Sequence, residues 1–175
     1  MSIALIDGAR VLARHHELIG RGHAEALVPA VAALLDGRRA DAIIVDIGPG
    51  SYTGIRIGIA AARALGLAWA VPVHGVSALS LVAAQAFAME PGLDAVYALI
   101  DAGRGHAVGA VIGPDLVAPL PSVVTALPSA ARLAGAGAAL LPGAAALHTD
   151  HPDAAFAGRL PAAALGLPQA LYVGD

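Results

Sequence analysis

Residues 48–58 read "GPGSYTGIRIG" and follow the apolar run "DAIIVDI". A strand that gives way to a Gly-rich turn and then a helix aims free backbone N–H groups forward, and anions favour that place. On pattern alone, Gly48, Gly50, Ser51 and Thr53 are candidates for holding a phosphate. The same residues serve equally as a tight turn in which Ser51 or Thr53 caps the helix. The run is not a Walker loop, because it lacks a Gly-Lys-Ser/Thr ending and the chain contains no Lys. Nor is it G-x-G-x-x-G, since the third glycine comes one residue late. Arg56 and Arg63 lie two turns apart on the following helix, where they could face an anion or simply edge an apolar helix with solvated charge.

Carboxylates are sparse. Asp46 ends a strand just before the Gly-rich turn, and Asp101 ends another just before "AGRGH". Both stand at the carboxyl end of a strand, where α/β proteins put site residues. Facing one cleft, the two would hold a magnesium–nucleotide; taken singly, each serves equally well as a turn-maker. The histidines do not share a metal-ligand spacing. His15 and His16 are neighbours on a strand and so point to opposite faces. The stretch "HTDHPD" brings His148, Asp150, His151 and Asp153 together; it could bind a metal, but a polar loop is the simpler reading. The absence of Cys excludes disulfides, thiolate catalysis and Cys-ligated zinc.

The elements that must position these groups follow from periodicity. "SIALID" and "RVLARHHEL" read as strands joined at Asp7-Gly8, a hairpin signal. In "GRGHAEALVPAVAALLDGRR", Leu27, Val28, Val31, Leu34 and Leu35 form one helical stripe, with Pro29 near the start and Gly37 as a stop. "DAIIVDI" is apolar enough for a strand covered on both faces. The next helix is expected from about Thr53 to Trp69. In it Gly54, Gly58, Ala62 and Gly66 recur every four residues as a ridge of minimal bulk, while Ile55 and Ile59 are placed on other faces. Glycine costs about 1 kcal/mol relative to alanine inside a helix. Its repetition points to close approach by another backbone, and a helix apolar nearly all round is buried in a core or in an interface.

The uncharged run between Arg63 and Glu90 is long enough to span a bilayer, but "PVHGVS" interrupts it. It reads as a helix end, a strand and a new helix. "AVYALIDAGRGHAVGAVIG" then gives two strands around a Gly-rich turn, and a short final strand is expected at "QALYVG". Residues 1–90 are thus expected to form an α/β lobe and 91–175 a smaller one. The chain is 58% hydrophobic and 13% charged with a formal net charge of -3, which argues against disorder and gives no basic footprint for nucleic acid. The opening "MSIALIDG" has no basic stretch before its short apolar run, so a cytoplasmic location is expected.

"RGHAEALVPAVAALL", "GPGSYTGIRIGIAAARALG", "VPVHGVSAL" and "ALIDAGRGHAVGAV", in this order, resemble the bacterial TsaB family, also called YeaZ. The likeness is strong over residues 1–112 and weak beyond. It implies an α/β lobe of the actin/Hsp70/sugar-kinase (ribonuclease H-like) type with a mixed sheet, plus a smaller, degenerate second lobe. It also implies a non-catalytic role in making tRNA threonylcarbamoyladenosine, beside a catalytic TsaD-like paralogue and a TsaE-like ATPase, with tRNA met only indirectly. The family's pairing surface uses the first two helices, which assigns the partner interface to His23, Leu27, Val31, Leu34, Gly54, Ile55, Gly58, Ile59, Ala62 and Gly66. Self-pairing through the same surface is expected when the partner is absent.

The catalytic paralogue carries a His-x-x-x-His metal pair where this chain has Gly75 and Leu79, neither of which can ligate a metal. No resident cofactor is therefore expected, and ATP or ADP with magnesium only at an interface with the partner. The family normally opens with a strand and a short Asp-Thr turn, whereas this sequence begins at what would be the second strand, so the expectation is either a missing beginning that leaves two neighbouring strands unpaired or a rearranged sheet. The alternative of another class is a nucleotide-hydrolysing or kinase-like enzyme using Asp46, Asp101 and the Gly-rich turn. A peptidase reading finds neither a metal pair nor a nucleophile constellation.

Overall fold

The computed structural model describes residues 1–19, 22–103, 105–126, 132–148 and 150–173. The chain opens with β1 (Ser2–Asp7) and β2 (Arg10–His16), an antiparallel hairpin in which Asp7 pairs with Arg10. The two-residue turn is thus Gly8-Ala9, one residue later than expected. α1 (His23–Leu35) follows, with Pro29 inside it, and ends on Asp36 in the left-handed region. β3 (Ile43–Asp46) leads through the Gly-rich turn into α2 (Tyr52–Trp69), and β4 (Val73–Val76) leads into α3 (Ala78–Met89). Serine caps both of these helices: the Ser51 and Ser77 hydroxyls accept from the N–H groups of Gly54 and Leu79.

The remaining elements are β5 (Val96–Asp101), β6 (Ala107–Ile112), β7 (Ser122–Val124), β8 (Arg132–Ala134), three short 3-10 turns and β9 (Leu165–Gly166). Three sheets result among the described residues. The hairpin stands alone, β9 adds antiparallel to β4 in the order β3-β4-β9, and the largest sheet runs β7-β6-β5-β8. Among the described residues β1 pairs with β2, and β3 with β4. Ile6 of β1 and Ile44 of β3 nevertheless meet in one apolar cluster around Val76 and Leu81.

The main core lies between α3 and the large sheet, where Leu79, Val82, Ala83 and Ala86 pack on Val96, Ala98, Ile100 and Ile112. α2 packs on the other sheet, against β3 and β4, with α1 beside it. The interrupted apolar run resolves into the end of α2, then β4, then α3. Among the described residues no helix is long and apolar enough to cross a membrane.

Two expectations about the second half need correction. No strand forms among the described residues of "QALYVG", whose last residue lies outside them; the antiparallel partner of β4 is the shorter "LG" at 165–166, and residues 167–173 run on without strand pairing. The boundary at residue 90 also does not separate two packing units. The turn Ala154–Arg159 sits on β1, and β9 joins the sheet of β3 and β4. A polar cluster fixes that return: buried Asp153 pairs with Arg14 and accepts from Ser2 Oγ at 3.2 Å, and its backbone N–H donates to Gln85 Oε1 at 3.2 Å.

Candidate functional site

The Gly-rich turn divides its residues between two tasks. Gly48 adopts φ +104, a region that favours glycine, and faces inward: a Cβ there would lie 2.8 Å from Ile55 Cδ1 and 3.0 Å from the Leu171 carbonyl oxygen. Its N–H donates to Asp46 Oδ1 at 2.7 Å, and its carbonyl accepts from Ala78 N–H at 2.9 Å and Ser77 Oγ at 3.2 Å. The first glycine thus welds β3 to the start of α3 and has no donor left for a phosphate. This corrects its assignment as a phosphate residue. Burial pushes the Asp46 carboxyl up to about 6, against the opposing pull of the Gly48 N–H.

The rest of the turn opens on a cleft of about 360 Å³, lined by Ser51, Tyr52, Thr53, Asp101, Ala102 and Gly103. The start of α2 and the end of β5 therefore do meet, which unites Ser51, Thr53 and Asp101 from the sequence reading. Asp46 and Gly48 do not line this cleft, and neither does Gly50. The pairing of Asp46 with Asp101 across one site is corrected accordingly. Asp101 Oδ1 accepts from Gly103 N–H at 2.8 Å, so one of its oxygens is already spent on the turn. A nucleotide would find a helix N-terminus for phosphate and a single carboxylate toward magnesium.

α2 itself reverses the expectation for its ridge. Ile55, Ile59, Ala62 and Gly66 fall at i, i+4, i+7 and i+11, and all four are buried. Ile59 is only 7% exposed. A Cβ on Gly66 would collide with Val73 Cγ2, and one on Gly58 would lie 3.6 Å from Val45 Cγ2. The small residues admit the chain's own β3 and β4, so this face is not open to a partner. That corrects Ile55, Ile59, Ala62 and Gly66 as interface residues, and Gly58 faces the same way.

What α2 leaves outward is different: Tyr52, Arg56, Ala60, Arg63 and Leu67. Leu67 is 86% exposed. On α1, His23, Leu27, Val31 and Leu34 are half-buried, and Val28, which the interface assignment omitted, is 56% exposed. Leu67 was within reach of the sequence, since helical spacing sets it off the buried stripe of α2; Val28 was not, because it shares the face of the buried Leu35 at i+7.

The remaining candidates take structural places. Leu79 is fully buried in the core. A Cβ on Gly75 would run into the Leu167 carbonyl oxygen, so a histidine there would collide with the chain's own backbone. His148 is buried, its Nδ1 accepting from Asp150 N–H at 3.3 Å, while His16 faces Asp153 at 3.9 Å. Among the described residues no three His, Asp or Glu side chains gather as a metal set.

Comparison with known proteins adds to this geometry. The family described as TsaD, tRNA N6-adenosine threonylcarbamoyltransferase, matches residues 15–120. The structure of YeaZ from Pseudomonas aeruginosa superposes with a TM-score of 0.71 at 32% identity, covering 89% of this chain and 82% of that one. The chain belongs to the TsaB/YeaZ family. Its fold is accordingly the actin-like one of YeaZ. Among curated TsaB/YeaZ relatives, the tRNA threonylcarbamoyladenosine biosynthesis protein TsaB of Escherichia coli is 37% identical over 110 residues, 60% of this chain and 47% of that protein. An uncharacterized Mycobacterium tuberculosis protein is 40% identical over 88 residues, 42% of each. The matched part spans less than half the length of these curated relatives.

Proposed function

We propose that this chain is a non-catalytic docking subunit in the synthesis of tRNA threonylcarbamoyladenosine. It pairs in the cytoplasm with a TsaD-like transferase, which it positions and activates, while a TsaE-like ATPase works with the pair. The names of the curated relatives support the pathway, and the positions of Gly75 and Leu79 support a partner role. The observation that carries the reading is the outward side of α1 and α2, where Val28 and Leu67 are exposed on neighbouring helices. Apolar residues held in the open on adjacent helices favour a protein partner, and self-pairing when none is present. A specific interface buries about 1,600 Å² in total, of which two helices supply much.

The test is titration calorimetry of the chain against the TsaD-like subunit of the same organism. Leu67→Asp is expected to weaken binding at least tenfold while the melting temperature of the free chain stays unchanged, because the side chain contacts little of its own fold. Unchanged affinity would contradict docking through α2. A nucleotide-handling reading draws on the cleft that unites Ser51, Thr53 and Asp101. Tight binding of ATP and magnesium to the chain alone would favour it over the docking role. Binding only when the partner is present would make the nucleotide an interface ligand.

A further inference from the structure

This inference rests on the docking reading and names the chemistry of the surface. Residues 165–173 run beside the outward edge of α2. They are seated by the β9 ladder on β4 and by the Leu171 N–H, which donates to the Ile47 carbonyl at 2.8 Å. Arg63 Nη2 donates to the Pro168 carbonyl at 2.7 Å, and Arg56 Nε donates to the Tyr172 hydroxyl at 3.1 Å. The Arg56 guanidinium also lies 4.2 Å over the Tyr52 ring, whose centroid is 5.3 Å from that of Tyr172. Between helix and segment runs a groove of about 270 Å³, with Arg56, Ala60, Arg63, Gln169 and Tyr172 along it.

We propose that the segment and α2 together form a composite docking surface for an acidic, apolar-flanked face of a protein partner. Three observations carry this. First, among the described residues neither guanidinium meets a carboxylate, and α2 contains no acidic residue. A guanidinium has five donors, and each of these spends one on the chain's own oxygen, leaving the others for bidentate pairing with a carboxylate. Second, the side chains are already held in place by hydrogen bonds and stacking, so binding has less freedom to remove. Arg and Tyr are also the types over-represented where interface energy concentrates. Third, Leu67 on the helix and Leu167 on the segment, the latter 78% exposed, flank the charge with apolar surface.

The spacing adds a requirement. Seven residues along a helix set the two arginines about 10 Å apart, so the partner presents carboxylates two helical turns apart or at that separation. RNA fits less well. Nucleic-acid affinity draws on many phosphate contacts, and two guanidiniums on a chain of net charge -3 supply few.

The experiment uses the full chain and the TsaD-like subunit, with affinity read by calorimetry at low and at roughly tenfold higher NaCl, and folding checked by thermal melts. Wild-type binding is expected to weaken with salt. Arg56→Gln with Arg63→Gln is expected to weaken it about tenfold at low salt and to remove most of the salt dependence. Tyr172→Ala, which leaves both arginines intact, is expected to weaken binding several-fold. If the wild type binds and all these variants bind equally well, the composite surface is excluded while docking stands. Tighter binding by Tyr172→Ala would overturn the proposal by showing that the segment obstructs the partner. Loss of retention on single-stranded RNA by the arginine variant, with partner binding unchanged, would overturn it in favour of RNA. No wild-type binding at all would remove the docking reading and this inference together.

Discussion

α2 and α3 are both strongly apolar, yet they end in opposite circumstances. α3 is buried along nine consecutive residues, Ala78 to Ala86, because the large sheet and the returning turn at 154–159 close round it. α2 buries one stripe against β3 and β4 and keeps the other side open, with two arginines and the exposed Leu67. Apolar composition alone therefore does not tell what covers a helix. The difference shows in charge off the buried stripe: α3 has none, whereas Arg56 and Arg63 stand on the exposed flank of α2.

The contrast sets an order of expected effects. The largest belongs to α3. Leu79→Ala is expected to lower stability by about 2–5 kcal/mol, the range for emptying a closed core position. Chemical denaturation measures it, and a loss below about 1 kcal/mol would mean that α3 is not sealed. Gly66→Ala on the covered face of α2 comes next. Overpacking against Val73 costs about 1–3 kcal/mol, offset by roughly 1 kcal/mol of helix propensity, so a net loss of about 1 kcal/mol is expected. A gain in stability would show room on that face and reopen the partner reading of the ridge.

A third effect, read as a dependence on pH, belongs to the turn between β3 and α2. The Asp46 carboxyl is raised from 3.8 to about 6, so the folded state binds its proton more tightly than the unfolded chain does. The stability this contributes is complete below pH 3.8 and is lost as pH rises through about 6. Asp46→Asn keeps an acceptor for the Gly48 N–H but removes the titration. Wild type is therefore expected to lose stability relative to Asp46→Asn between about pH 4 and pH 7 in thermal melts. Parallel curves would mean that the carboxyl is not desolvated.

Much of this arrangement was legible in the sequence. The hairpin, both helix–strand connections through the uncharged run, and the Ser51 cap of α2 follow from local signals that the structure keeps, whereas the Ser77 cap was not read. The direction of the α2 ridge was not legible as read. A four-residue recurrence of small residues reveals close approach but not whose backbone approaches. Adding Ile55 and Ile59 to Ala62 and Gly66 gives the i, i+4, i+7, i+11 stripe that marks the covered side. The cleft was half legible. Asp101 and Ser51 stand at element ends, where sites form, but the inward twist of Gly48 takes Asp46 with it. The closing segment escaped because a two-residue strand is too short to show a period, and its anchors, Arg56 and Arg63, lie more than a hundred residues away.

The central claim is that another protein covers the outward side of α2. The chain has no Cys, so a single introduced thiol reports one position. Leu67→Cys, labelled with a maleimide in the presence and absence of the TsaD-like subunit, tests the claim most directly, with Val111→Cys on the half-exposed face of β6 as the reference. At saturating partner, labelling of the Leu67→Cys thiol is expected to slow at least tenfold, while the Val111→Cys thiol reacts as before. Unchanged labelling at position 67 with a stable complex present, or protection at position 111 instead, would contradict it.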